Sequence, residues 1–369
     1  MTTSMPSASP RLAAPRNGSA PTASTRPLGG PWLVTGYDGR LTAYVHAEDA
    51  ILRWTQTTAG GSRWQGPESL PAKGITHLDV VHGQDRYVHF LGLRTRPRAD
   101  GLSHVDVMYA TQYQTGRPMT PWHSLGNPFK EIEKAAEVGA PTGVVRSDGA
   151  LYVCVPTGPG GVALRRENRK GAWVPWSVLD AAGATDGPAP AATSDALVQV
   201  LVPTRVSALH LRQLTPGRPM ERGDEAQVVP VPGSVAPLET AAGRITYYLT
   251  DAAGGGVVAL RPGSWPVPLG GAPADGRIAA LRTELDGIDC TVLAVRGIAG
   301  TVTLGVCATE GEQSGVWWTD TAMRCQGDPS LARDGHGRVV VAALDTEGRP
   351  AVARQEDGQG LTLSDWRRI

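Results

Sequence analysis

A repeat constrains this chain more than any other feature. An apolar strand, a short turn built on Asp-Gly or a relative of it, and a second apolar strand recur along the sequence. Strong copies are Asp38-Gly39-Arg40-Leu41, Asp148-Gly149-Ala150-Leu151, Ala242-Gly243-Arg244-Ile245 and His336-Gly337-Arg338-Val339. Weaker copies begin at Asp85, Asp195 and Asp286, and successive anchors lie 47, 63, 47, 47, 44 and 50 residues apart. A period of this size marks a stacked or radial repeat.

Each unit carries further strand signals. A third strand ends near Gln in Arg53-Trp54-Thr55-Gln56, Tyr109-Ala110-Thr111-Gln112, Leu211-Arg212-Gln213 and Val352-Ala353-Arg354-Gln355. A Trp then opens a fourth strand at Trp64, Trp122, Trp176, Trp265, Trp318 and Trp366; the fourth unit lacks it. Four short strands per unit is the arithmetic of a propeller blade. One blade cannot cover both its faces, whereas a closed ring covers every face and leaves only short edges. The expected fold is therefore all-β, a seven-bladed β-propeller with four-stranded antiparallel blades over 31–369. The repeated Trp is expected to pack between blades.

Composition agrees. The 46 Gly and 30 Pro supply turns and oppose a helical bundle. The second blade is long, with a polar hairpin extension at about 94–104 and a helical stretch at about 128–138 that opens on a Pro. Residues 1–30 are rich in Ser, Ala, Pro, Thr and Arg, and are expected to be a disordered tail. They lack the apolar core of a secretory signal, and no run of apolar residues is long enough to span a bilayer. The expected location is cytoplasmic, with no membrane partner. The four cysteines, Cys154, Cys290, Cys307 and Cys325, form no CxxC pair and are expected to be reduced, buried apolar residues. The 35 basic residues equal the 35 acidic ones, which argues against a broad nucleic-acid surface but leaves room for a small local patch.

The unit Ala-Pro, five residues, Asp-Gly-x-Leu, a strand and Trp-x-x-Leu resembles the bacterial PLL-type lectins. Those are seven-bladed propellers that bind fucose and related sugars between blades, and the resemblance extends over nearly the whole chain after Pro31. It implies a carbohydrate-binding, lectin-like module. Lectin units of that family carry an aromatic pair on the third strand; blade one keeps something similar at Ile51-Leu52-Arg53-Trp54, and the other six units lack it.

Broken symmetry points to a site. Around the first strand of blades three to six the flanking residues are small or apolar, such as Ala140, Thr142, Ala189, Ala236 and Ala280. Blade seven instead has Asp328, blade one Trp32, and blade two His77 and Asp79, which a period of two places on one face. These three blades adjoin in a closed ring. Trp32, Arg53 and Trp54 are the expected ligand-binding residues. His77, Asp79 and Asp328 would be the catalytic groups if the protein is an enzyme, with His as general acid or base.

No HExxH, P-loop, Rossmann or Gly-x-Ser-x-Gly signature occurs, and the spacing of His77 and His82 suits no zinc site, so neither metal nor cofactor is expected. Two functions follow. One is a divergent lectin-like propeller holding a small molecule, glycan or protein on one sector. The other is a tailoring or cyclisation enzyme of specialised metabolism with its site at the channel mouth.

Overall fold

The computed structural model of the chain describes residues 26–99, 101–158, 160–185 and 187–369. The tail expected over 1–30 lies mostly outside them; its described end is already ordered into the first strand, which starts at Gly29.

Seven antiparallel sheets of four strands form the ring, each from consecutive strands of the chain. The blades span 29–71, 75–126, 142–179, 189–226, 236–270, 279–324 and 326–368. The first strand of each lines the central channel and the fourth lies at the rim. The enlarged second blade owes its size to a long hairpin, Val88–Pro97 with Ser103–Gln112, and to the short helix Ile132–Ala136 after its fourth strand.

The Asp-Gly repeat folds as a capped tight turn. In three blades the Asp side chain accepts a backbone N–H two residues on: Asp38 from Arg40 (3.1 Å), Asp85 from Tyr87 (3.0 Å) and Asp148 from Ala150 (3.3 Å). The next residue needs a left-handed backbone, which Gly adopts at no steric cost. Gly39, Gly149 and Gly337 sit there at φ 75°, 87° and 82°. The weaker copies place Arg86 and Ala196 in the same conformation, at φ 61° and 65°. Their sequences drift at the residue that made the strong copies visible, yet the turn persists.

The third-strand Gln has an equally plain role. Gln56, Gln213 and Gln355 accept the first backbone N–H of the second strand, from Leu41, Val198 and Val339, at 2.9, 3.2 and 3.1 Å. Their amide nitrogens donate to the carbonyls of Gly61, Arg218 and Gly360 in the loops that follow. One side chain thus registers two strands and shapes a loop.

Hydrophobic clusters fill each of the seven blade–blade junctions, including the one that joins blade seven to blade one. The second strands are buried along almost their whole length; Leu41–His46, Leu151–Thr157 and Val339–Leu344 show no exposed residue. They read as unbroken apolar runs because both faces are covered. All four cysteines are free and buried, and burial pushes the Cys154 thiol up to about 12.

The fourth-strand Trp residues divide into two groups. The indole N–H of Trp122 donates to Pro71 O (2.8 Å), that of Trp176 to Leu125 O (3.0 Å) and that of Trp318 to Leu269 O (2.9 Å). Each bond reaches the fourth strand of the preceding blade. Trp64 and Trp366 instead pack at the edge of junction clusters. Trp265 departs from the expected packing: 87 % of it is exposed, and it staples nothing.

Trp122→Phe and Trp318→Phe, which keep a ring but lose the N–H, should each lower unfolding free energy by about 1 kcal/mol in denaturant titrations. Trp265→Phe should change it by less than about 0.5 kcal/mol. A loss at Trp265 equal to that at Trp122 would contradict the stapling role. Burial holds His89 and His210 down at about 4, and His89 Nε2 and His210 Nδ1 find no partner among the described residues. Unfolded histidine titrates near about 6.5, so below that pH the unfolded chain binds protons that the fold refuses. Stability should be intact above pH about 6.5 and fall steadily towards pH 4, each His costing on the order of 3 kcal/mol at the lower end. Thermal melts of His89→Gln and His210→Gln should show a shallower decline with acid than the unsubstituted protein.

Candidate functional site

Two regions collect polar side chains away from the junction cores: the channel, and the clefts that open between blades at the rim.

In the channel, the expected residues Trp32, His77 and Asp328 line one cavity of about 770 Å³, towards blades six, seven, one and two. Asp79 lines an adjoining cavity of about 660 Å³ that continues along blades two to five. Arg277, two residues before the first strand of blade six, lines both and reaches across the channel to blade two. Its two terminal nitrogens each lie 3.0 Å from Asp79 Oδ1. Asp79 itself is buried, whereas the Arg277 side chain keeps 46 % of its surface accessible to channel water. The Asp79 carboxylate raises the Arg277 pKa, with a smaller contribution from Asp328, and burial raises that of Asp328. A ligand in the larger cavity would meet an indole, an imidazole and a carboxyl that stays protonated to higher pH than usual.

The expected sharing of one face by His77 and Asp79 is broken by a bulge. Thr76 pairs with Leu93 but Asp79 with Leu91, so one extra residue is inserted, and His77 takes up the left-handed conformation at φ 54°. His77 is exposed, and the hydrogen bond it makes is to Thr76 Oγ1 at 3.1 Å, not to either carboxylate. Arg277 was not singled out in the sequence, because nothing local marks a residue whose partner lies four blades back along the chain.

Arg53 and Trp54 lie away from the channel. Neighbours on one strand, they point to opposite faces of blade one. Trp54 is buried in the cluster between blades seven and one. Arg53 is buried towards blade two, and donates to Glu68 Oε2 (2.5 Å) of its own blade and to Gln112 Oε1 (3.0 Å) and Arg117 O (2.6 Å) of blade two.

Between blades seven and one opens a cleft of about 480 Å³. Half-buried Trp64 from blade one lines it, together with Arg338, Arg354, Arg367, Glu356 and Asp357 from blade seven. Arg338 Nη2 and Arg354 Nη1 both donate to Gly60 O, at 2.7 and 2.8 Å, and so fix the blade-one loop against blade seven. Asp357 is 95 % exposed and lies 3.8 Å from Arg338. Fixed cationic donors, exposed carboxylate acceptors and an indole thus meet in one concavity. The sequence held a signal for it: Arg recurs before the third-strand Gln or Glu at Arg166, Arg212 and Arg354.

Fold and site together define a seven-bladed propeller with polar inter-blade clefts. Among solved structures the chain is similar to the BP39L lectin from Burkholderia pseudomallei, with TM-score 0.65 and 13 % identity over 91 % of this chain and 99 % of that one. It is also similar to a mutant of AofleA from Arthrobotrys oligospora, with TM-score 0.51 and 10 % identity over 80 % of this chain and 87 % of that one. The NanB sialidase from Streptococcus pneumoniae matches with TM-score 0.50 and 10 % identity, over 95 % of this chain and 69 % of that one. At these identities the likeness is one of fold. No family model matches the chain, and no curated protein does.

The bridge across the channel is open to a direct test. Asp79→Asn and Arg277→Gln should each destabilise the ring by about 1 kcal/mol, a modest loss because the guanidinium meets channel water. The double substitution should cost less than the two singles together, a coupling of roughly 1 kcal/mol in a double-mutant cycle followed by denaturant unfolding. Strictly additive losses would show that the pair does not interact in solution.

Proposed function

We propose that this protein is a carbohydrate-binding propeller and that the cleft between blades seven and one is its sugar site. The observation that carries this reading is the convergence there of Trp64 with three arginines and two carboxylates. A sugar ring offers apolar C–H faces and hydroxyls that both donate and accept. An indole suits the first, and guanidinium and carboxylate groups suit the second. The donors are already held, since Arg338 and Arg354 are tied to Gly60 O, so little ordering is needed on binding. The cleft falls in the sector of blades seven, one and two that broken symmetry singled out. The resemblance to PLL-type lectins, which take sugars between blades, and the fold shared with the BP39L lectin point the same way. Neutral monosaccharides at glycan ends, fucosides first, are the ligand class.

Glycan-array screening followed by calorimetry tests this. The unsubstituted protein should bind a terminal sugar saturably. Trp64→Ala and Asp357→Asn should each weaken binding at least about tenfold, or about 1.4 kcal/mol. Asp357 is so exposed that its substitution should leave the melting temperature unchanged. Absence of binding across the array, or binding indifferent to both substitutions, would end this reading.

A further inference from the structure

The junction between blades three and four carries a second cleft, of about 560 Å³, built to the same plan but lined differently. Arg166 holds the place that Arg354 holds in blade seven. Arg166 pairs with Tyr152 and Arg354 with Val340, each the residue just after the one registered by the third-strand Glu167 or Gln355. Arg166 Nη2 donates to Gly217 O (2.7 Å) in the loop after Gln213, as Arg354 donates to Gly60 O in the loop after Gln56. The frame is shared, but the aromatic is not. Blade four has no fourth-strand Trp, and no aromatic residue lines this cleft.

Cations take its place. Arg146, Arg166, Arg169, Lys170 and Arg218 line the cleft, and no carboxylate does among the described residues. Arg146 is buried and already answered by Asp148, with Nε 2.7 Å from Oδ1. Arg169, Lys170 and Arg218 are exposed and form no ion pair among the described residues. Elsewhere the same frame is neutralised: Arg261, which follows the third strand of blade five, meets Glu312 and Glu310 from blade six. In a chain of zero formal charge, three cations left without an ion pair in one concavity set up a local positive field.

We infer that the cleft between blades three and four is an oxyanion site that takes a sulfate or phosphate monoester. Guanidinium groups match the oxygens of such a group in paired, charge-assisted hydrogen bonds, and Lys170 adds a point charge. A compact monoester is favoured over a polyanion because the cations converge on one bounded cleft rather than along a stripe. This inference uses different residues from the sugar site and stands or falls separately from it.

Calorimetry at low salt with galactose 6-sulfate, glucose 6-phosphate and inorganic phosphate tests it. At least one ester should bind saturably and weaken as salt is raised. Equal binding of inorganic phosphate would show that the oxyanion alone is read; preference for one ester would identify the source. The variant Arg169→Ser/Lys170→Ser/Arg218→Ser should weaken binding at least tenfold with an unchanged melting temperature. A control removing three charges elsewhere, Lys73→Ser/Arg205→Ser/Arg324→Ser, should stay within twofold, and so should Trp64→Ala. Failure of both esters to bind, equal losses in cluster and control variants, or tighter binding of a DNA 12-mer than of either ester would overturn the proposal.

Discussion

A blade whose second strand is apolar on both faces cannot exist alone in water, and everything else in this molecule depends on that. Leu41–His46 and its counterparts are covered on both sides only because neighbouring blades supply the cover. The ring is the arrangement that gives every blade two neighbours. Closure here involves no exchanged strand, since all seven sheets are made of consecutive strands. The last junction is held by side-chain packing, with Leu33, Leu41, Val45 and Trp54 against Val340, Ala342 and Leu344. Polar bonds add to it: Thr35 Oγ1 donates to Arg333 O (2.5 Å), and Arg338 and Arg354 converge on Gly60 O.

Apolar packing consumes the middle of each blade and leaves chemistry two places to go. One is the inner strand, where small residues predominate and a few polar ones project into the channel. The other is the outer end of each junction, where the third strand finishes and the next blade's loop arrives. The recurring Gln explains why the second location is so reproducible. By fixing the second strand and the following loop at once, it delivers the same frame to several junctions, and the residues hung on that frame differ freely. Trp64, Arg354 and Asp357 occupy one frame and Arg166, Arg169 and Arg218 another; at the junction of blades five and six, where Pro262 stands in place of the Gln, Arg261 meets Glu310 and Glu312.

The repeat was legible because turns and periods are local. Asp-Gly marks a left-handed residue wherever Gly fills it, and the spacing of such marks counts blades. What sequence could not reveal is set by contacts between distant segments. Arg53 and Trp54 stand where lectin units of the PLL type carry an aromatic pair, yet adjacent strand residues face opposite ways, and both of those faces are junctions. His77 and Asp79 were aligned by a period of two that one inserted residue interrupts. Arg277 meets Asp79, and Trp64 meets Arg354, only because the ring closes. Linear pattern marked the sector of blades seven, one and two through its asymmetry, while the side chains that line the inter-blade cleft there come from opposite ends of the chain.

Zero formal charge acquires a different meaning in this light. The equal numbers of acids and bases are not evenly mixed. Several arginines are answered within their own turn or strand pair, as Arg40 by Asp38 and Arg282 by Asp289. Others are answered across a junction, as Arg244 by Glu310. Where a guanidinium at the rim instead spends its hydrogen bond on a neutral carbonyl, its charge remains available to a ligand. Arg354 on Gly60 O and Arg166 on Gly217 O are both of this type. A carbonyl orders the side chain without cancelling its field, so these two junctions keep preformed cationic donors facing solvent. The indole beside one and its absence beside the other are the physical ground for proposing different ligands at the two.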